Sequence, residues 1–476
     1  MNISIPTNHN YYEEAPIAEG KLQETFGIKT RAIKKLKSDI FSSVHEITTK
    51  ESSLEQIQIF GFKQNKLENE EQLILKLYAK QSTENHTNYF VQTGLFAGVI
   101  YHKGCQFNIT TAYGDIFLQR MLNYVNDIYI DNQKIQAEKK DETNEFQNII
   151  AYLFIQSLEK ASVLGLPKLY KEMTQHSSKV RGKIDINAYL RNNTPFTGKI
   201  TTNYREQVYV QEIIDVLFQA CRILEKKIGK DIHRKILGVY QLLKQSYSGN
   251  FPTPRTIQSA INHSTLQNPM FAGFKNVLKY AEIILQEQNL ILSDSQNDLS
   301  THGYLFDISQ LFEVYLEKLL NRHFKDWYIS GQEELMTYSR MFYSRKMFPD
   351  LVMRNKESNE LIVFDAKYKK MRLEKRDVDR SDFYQIHSYI QYYQPDVCIG
   401  GLIYPLSKQI SEQTAHADSI FNNQHIGSKF IVDGIFINES MDMTGIEQSE
   451  NEFLSRIDSL INKNQTLNTL HKLGAA

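Results

Sequence analysis

One stretch limits what this chain can fold into more than any other. Residues Tyr343 to Met371 read YSRKMFPDLVMRNKESNELIVFDAKYKKM. Two apolar runs, Leu351–Met353 and Leu361–Phe364, flank the polar segment Asn355–Glu360, which is rich in turn formers. That pattern predicts a β-hairpin. A turn centred between Glu357 and Ser358 sets Asp350 opposite Asp365, and alternation along the strand puts Lys367 on the same face as Asp365. Cross-strand Cβ atoms lie about 4.5–5.5 Å apart, so two facing carboxylates repel unless a proton or a cation joins them. A divalent metal held by oxygen ligands removes that repulsion, and Mg²⁺ typically takes one or two carboxylates plus water and substrate phosphate. An ammonium beside it can orient water. The pattern therefore outlines a metal-dependent phosphodiesterase. An acidic-ended hairpin in which Lys367 merely neutralises Asp365 satisfies the same spacing.

The surrounding sequence predicts helix Phe306–Leu320, a strand over about 334–343, the hairpin, helix Asp379–Gln394 ended by Pro395, and a returning strand Val397–Tyr404. A strand that follows a helical crossover is expected to run parallel to a neighbour. Ile308, Leu311, Phe312, Tyr315, Leu316 and Leu319 form the apolar stripe of the first helix, with Glu313 at its edge; Phe383, Ile386, Ile390 and Tyr393 face inward from the second. Gln385 and Tyr389 are four apart and share a helix face. A further strand near Lys429–Ile437 and a terminal helix near Glu450–Asn462 close the chain.

At 476 residues the chain exceeds one ordinary core. The expected architecture is multidomain α+β: an N-terminal extension (1–50), a β-rich module (51–135), a helical middle region (136–297), a C-terminal α/β nuclease core (298–440) and a helical tail (441–476). In the first 50 residues a polar lead precedes a helix-like segment carrying Arg31, Lys34, Lys35 and Lys37. The β-rich module is read from Leu54–Phe62, Leu73–Tyr78, Tyr89–Val91, Gly98–His102 and Phe107–Thr111, closed by a helix over Tyr113–Ile130. The charged segment Lys134–Thr143 reads as a linker. In the middle region, helices are expected at Phe146–Leu164, Gln211–Lys227, His233–Lys244 and Phe274–Leu290. The basic turn Val180–Asp185 offers Arg181 and Lys183 to phosphate.

Lys+Arg and Asp+Glu are equal at 55 each, so any nucleic-acid surface must be local. Lys369, Lys370, Arg372, Lys375 and Arg376 follow the hairpin closely and form such a patch. Cys105, Cys221 and Cys398 lie far apart and build neither a zinc spacing nor a disulfide framework, which fits a reducing cytoplasm. The N-terminus is polar, and no apolar run is long enough to cross a bilayer.

The candidates then fall in an order: Glu313 on a helix, Asp350 after Pro349, Asp365-Ala366-Lys367 on a strand, and Gln385…Tyr389 on the next helix. This PD…DxK plus QxxxY arrangement resembles the RecB-like branch of the PD-(D/E)XK nucleases. More of the chain resembles one family. Leu164-Gly165-Leu166, Tyr170 and Val180-Arg181-Gly182-Lys183-Ile184-Asp185 are similar to the middle-region signature of the McrC family. So are Tyr304 through Glu313, Phe348-Pro349-Asp350, Phe364 through Lys369, and Asp382-Phe383-Tyr384-Gln385.

The resemblance implies an endonuclease subunit of a McrBC-type, modification-dependent restriction system. In such a system the β-rich region docks on a hexameric AAA+ GTPase and stimulates it, while the C-terminal domain cuts DNA. It implies Mg²⁺ or Mn²⁺ on Asp350 and Asp365, the Ala366 carbonyl as a third oxygen, and Glu313 acting through water. Lys367 would orient the attacking water, Gln385 would position it, and Tyr389 would support Gln385. The sequence holds no GxxxxGK[ST], so the nucleotide motor is expected on another chain. Two rival classes stay open: a non-catalytic activator of an AAA+ motor, and a RecB-like exonuclease acting alone.

Overall fold

The computed structural model describes residues 2–10, 15–26, 33–34, 36–49, 57–62, 71–81, 87–126, 145–192, 195, 197–228, 236–292, 302–331, 333–338, 343–358, 360–369, 378–411, 416–417 and 428–474. The fold is mixed α/β with several sheets and divides into two compact units, Met1–Glu138 with Asn297–Ala476, and Lys139–Gln296. The linker reading at Lys134–Thr143, Arg31, Lys35 and the basic segment Lys370–Arg376 lie outside the described residues. No described helix is long and apolar enough to cross a membrane.

In the first unit, a five-stranded sheet has the order Asn2–Pro6, Cys105–Thr110, Phe96–His102, His302–Asp307, Ile57–Phe60. A four-stranded antiparallel sheet packs near it, in the order Ile17–Ala18, Thr87–Thr93, Leu73–Gln81, His45–Thr48. Residues from both sheets share one core that includes Ile3, Ile5, Ile47, Leu75, Val91, Ile100, Phe107 and Leu305. The first 50 residues are thus not only a polar lead: they supply Asn2–Pro6, parallel to Cys105–Thr110, and His45–Thr48. Ile3 and Ile5 alternate inward, the period a half-buried strand requires.

His302–Asp307 was expected to begin a helix at Phe306. Instead it is a strand lying between Phe96–His102 and Ile57–Phe60, and the helix is Ile308–His323. Asp307 sets the boundary, because its carboxylate accepts the Gln310 N–H at 3.1 Å and caps the first turn. The antiparallel contact is close. A Cβ on Gly98 would fall 2.2 Å from the Tyr304 carbonyl oxygen, and one on Gly303 would fall 2.1 Å from that of Val99. Only a residue without a side chain fits at either position. The predicted stripe of the helix is buried throughout, from Ile308 to Leu319.

A six-stranded sheet follows, ordered Trp327–Ser330, Leu351–Asn355, Leu361–Ala366, Val397–Leu406, Lys429–Phe436, His416–Ala417. The hairpin has the expected register, with Leu351 opposite Phe364 and Arg354 opposite Leu361. Leu361–Ala366 and Val397–Leu406 run parallel, as the helical crossover requires. The strand expected over 334–343 is corrected: Leu335–Thr337 pairs with Arg345–Met347 as a separate ribbon, and the sheet neighbour of the hairpin is Trp327–Ser330. Helix Arg380–Tyr392 covers the sheet with Ile386, Tyr389 and Ile390 buried, whereas Phe383 is 40 % exposed instead of inward. Helix Met443–Gly474 is longer than the sequence signal around 450–462.

The second unit is a bundle of Glu145–Ala161, Gln211–Ile228, Leu237–Ser246, Pro254–Ile261 and Phe274–Leu292. Phe154, Leu158, Ile214, Leu217, Cys221, Val277, Leu278 and Leu285 are buried in it. The region is not purely helical. Lys168–Ser177 and Ile200–Tyr209 pair along ten residues each, with Lys183–Ile184 added at the edge. Most side chains of this arm are open to solvent, and helix Ile186–Asn192 on it buries none of its own.

Candidate active site

Because the hairpin strands are antiparallel, Asp350 precedes one and Asp365 ends the other at the same edge of the sheet. Asp350 Oδ2 accepts the backbone N–H of Ala366 at 2.9 Å, which fixes the two strand ends together. Both acids are buried, Asp350 at 8 % exposure and Asp365 at 0 %. Lys367 Nζ lies 2.7 Å from Asp365 Oδ2 as an ion pair, and Asp365 Oδ1 has no hydrogen-bond partner. A buried carboxylate left in that state is costly.

Burial, and then the charge of Asp350, push the Asp365 carboxyl well above the usual carboxylate range, against the pull of Lys367. Burial alone would lower Lys367; the negative charges of Asp365 and Asp350 outweigh it and hold the ammonium above the ordinary lysine range.

A directed chain of hydrogen bonds leads away from the lysine. Lys367 Nζ donates to Gln385 Oε1 at 3.0 Å, Gln385 Nε2 donates to the Tyr389 hydroxyl at 2.8 Å, and that hydroxyl donates to the Phe348 carbonyl at 3.1 Å. The carbonyl can only accept, so it fixes the direction of every link behind it. Gln385 and Tyr389 share a helix face as their spacing requires, and the chain returns to the residue two before Asp350. Burial raises the Tyr389 phenol, which stays protonated and able to donate.

Helix Arg380–Tyr392 is itself pinned. Lys369 Nζ meets Asp382 Oδ2 at 2.6 Å and Asp379 Oδ2 at 3.1 Å. Asp379 caps the helix by accepting the Ser381 N–H at 3.2 Å, and the Tyr404 hydroxyl donates to Asp382 at 3.2 Å. Lys369, read from sequence as a DNA contact, is therefore committed to holding the helix. Asp382 and Phe348 entered the sequence reading only inside motifs, without a role, and Tyr404 only as a strand end. An acidic pair in the first turn of the QxxxY helix was the available signal for the first of them.

The structure brings Asp350, Asp365, Ala366, Lys367, Gln385 and Tyr389 to one place. Glu313 sits half-buried on helix Ile308–His323, where the Ser309 hydroxyl lies 3.5 Å from its Oε1. Among the described residues no three His, Cys, Asp or Glu side chains group to hold a metal ion, so Glu313 is not gathered with the two aspartates. The pair nevertheless fits a hard divalent cation: two carboxylates share one end of the sheet, and one of them keeps a buried oxygen, Asp365 Oδ1, without a hydrogen-bond partner. Arg181 and Lys183 lie on the exposed arm of the second unit, where Arg181 stacks on Tyr204 at 4.3 Å and pairs with Glu206 at 3.2 Å. Lys370 and Arg372 are outside the described residues.

Comparison with known proteins gives a consistent picture. A family model for McrBC 5-methylcytosine restriction system components matches residues 66–405. A chain in the half-complex from a tetradecameric assembly of Thermococcus gammatolerans McrB AAA+ hexamers with bound McrC aligns with a TM-score of 0.55. It shares 14 % identity and covers 96 % of this chain and 100 % of its own. A chain in the cryo-EM structure of the Thermococcus gammatolerans McrBC complex aligns with a TM-score of 0.33 and 13 % identity, covering 68 % and 88 %. The search of curated proteins gives no match.

Proposed function

The chain belongs to the McrBC family of 5-methylcytosine restriction system components, and from that premise we propose that it is the DNA-cutting subunit, a metal-dependent endonuclease of the PD-(D/E)XK type. One observation carries the reading: a fully buried Asp365 with an unpartnered Oδ1, placed with Asp350 at one end of a sheet and paired with Lys367. An acid in that setting is suited to holding a cation.

Asp350 and Asp365 would hold Mg²⁺ or Mn²⁺, with the Ala366 carbonyl as a third oxygen donor and Glu313 acting only through water. The bound ion supplies Lewis-acid polarisation of the scissile phosphate and eases deprotonation of water. Lys367 directs its ammonium at the attacking water and at the negative charge that develops on phosphate oxygen. Gln385 holds Lys367 in that position, and Tyr389 holds Gln385. Phosphodiester hydrolysis in a site built this way needs no covalent enzyme intermediate.

The relative in the half-complex is bound to McrB AAA+ hexamers. We extend that partner to this chain: a hexameric AAA+ GTPase that selects modified duplex DNA, acting with it in the cytoplasm in defence against phage. The β-rich N-terminal region is the docking element the resemblance implies. The exposed arm adds apolar surface for a protein partner through Tyr170, Val180, Ile184, Ile186 and Leu190, each more than half exposed.

The test separates the two activities. Asp350→Ala and Lys367→Ala should each abolish Mg²⁺-dependent cleavage of methylated duplex while leaving stimulation of the partner's GTPase intact. Cleavage that survives both substitutions removes the site. Wild-type chain that stimulates the partner but never nicks DNA makes it a non-catalytic activator. Cleavage by the chain alone without GTP makes it a stand-alone nuclease.

A further inference from the structure

The ribbon Leu335–Thr337 with Arg345–Met347 is joined to no other strand among the described residues. Its root is anchored. Leu335 is buried in the cluster formed by Val352, Ile386 and Tyr389, and Met347 packs against the same cluster. Its outer surface is open and aromatic. Tyr338 is 63 % exposed and Tyr343 48 %, and their rings meet at a centroid distance of 5.2 Å. Two large aromatic side chains held together in solvent mark a contact surface more often than isolated ones do. Tyr338 also takes a left-handed backbone conformation, φ 55°, which is uncommon for a bulky residue and recurs where side chains are held for ligand contact. Arg345 is exposed on the second strand, and the adjacent Lys346 pairs with Glu334 at 2.8 Å on the surface.

The ribbon's place is as telling as its composition. Its second strand runs through Phe348 and Pro349 into Asp350, so Arg345 stands five residues from the site. An extended chain covers at most about 3.6 Å per residue, which keeps Arg345 within roughly 18 Å of Asp350. With about 3.4 Å between successive phosphates of one strand along a duplex axis, that reach spans about five base steps. The Phe348 carbonyl, at the root, is where the chain from Lys367 through Gln385 and Tyr389 ends.

We propose that this ribbon grips the DNA flanking the scissile phosphate, with Tyr338 and Tyr343 wedged against a base step that they unstack and Arg345 pairing with a backbone phosphate. The inference rests on the nuclease reading for its choice of ligand. Aromatic side chains stack on any base, and an arginine supplies the charge that a neutral protein must place locally.

Binding of the full chain to a fluorescein-labelled duplex containing 5-methylcytosine, without divalent metal, tests this apart from cleavage. Tyr338→Ala and Tyr343→Ala should each weaken binding about tenfold, the scale of one lost stacking contact. Tyr338→Phe, which keeps the ring, should bind as wild type. Arg345→Ala should lower the salt slope of log K by about one. In cleavage assays with the partner, the same variants should raise KM more than they lower kcat. Unchanged affinity and slope in the alanine variants overturn the proposal, as does a wild-type chain that fails to bind the duplex. Loss of partner GTPase stimulation with DNA affinity intact also overturns it and gives the ribbon to a protein partner. Variants that lose DNA affinity in a chain that never cleaves would sink the nuclease reading and leave this one standing.

Discussion

Arg120 and Glu450 meet 2.6 Å apart in the interior, although 330 positions separate them in sequence. Glu450 also accepts the Tyr315 hydroxyl at 2.6 Å and the Arg120 Nε–H at 2.8 Å, while Arg120 reaches Glu447 at 2.8 Å. Helices Asp115–Asn126, Ile308–His323 and Met443–Gly474 are thereby fastened at one point. Glu450→Ala leaves a guanidinium that is 4 % exposed with only the part-exposed Glu447 opposite it, so the cost should fall at or below the low end of the roughly 3–5 kcal/mol that breaking a buried pair takes. Urea unfolding should show a lower midpoint of that size. Glu450→Gln, which keeps an acceptor for Tyr315, should lose less.

Tyr389→Phe removes one hydroxyl that both accepts from Gln385 and donates to Phe348. The half-buried Phe348 acceptor and Gln385 donor lose a partner, at about 1 kcal/mol. The larger effect is expected on turnover, because Gln385 then no longer fixes Lys367. We expect kcat to fall about tenfold with KM little changed, the pattern of an interaction that matters chiefly in the transition state. Steady-state cleavage kinetics with the partner check this, and an equal rise in KM would point instead to a ground-state contact.

Asp365 gives a metal test that needs no catalysis. Its folded pKa lies above the unfolded one, so the native state keeps a proton that the unfolded chain has released. The stability this group contributes is full below the unfolded carboxylate pKa, falls as pH rises toward the folded value, and is lost above it. Metal-free Asp365→Asn should therefore gain in Tm relative to wild type as pH is raised. Adding Mg²⁺ should raise the Tm of the wild type and not that of Asp365→Asn. Differential scanning calorimetry with and without Mg²⁺ reads both.

His102 carries the opposite sign. Burial, His45 and Lys103 lower it to about 4 from an ordinary 6.5, and its ring lies 4.9 Å from that of His45. Between those values the unfolded chain binds a proton that the native state refuses, so stability is full above about pH 6.5 and drains away as pH falls toward 4. The loss attributable to this residue is on the order of 2–3 kcal/mol. His102→Gln should flatten that limb of the stability curve, measured by urea midpoints from neutral pH downward.

The hairpin was legible because two apolar runs flank a polar turn; the runs, buried on both faces, carry no alternation, and centring the turn set the register. From that register came the facing of Asp350 and Asp365. The arm was not legible: Lys168–Ser177 reads KLYKEMTQHS, fully buried on neither face, and its polar residues fall on both, so no apolar alternation marks it as a strand. The Asn2–Pro6 strand holds two inward isoleucines, too short a pattern to stand out. The structural duty of Lys369 depends on Asp379 and Asp382, which only the folded chain brings to it. Phe383 failed as a core residue because the helix reads one apolar face too wide; its ring lies 4.0 Å from His387 on the open side.

The strand His302–Asp307 has a consequence for how this gene can be divided. It fills the gap between Phe96–His102 and Ile57–Phe60, though the whole second unit intervenes in sequence. An amino-terminal fragment ending before His302 would leave those two strands as bare edges, open to pairing with foreign chains. An amino-terminal fragment cut before His302 should therefore precipitate alone and be rescued by the co-expressed remainder, whereas one cut after Asp307 carries its own filling strand and should stay in solution.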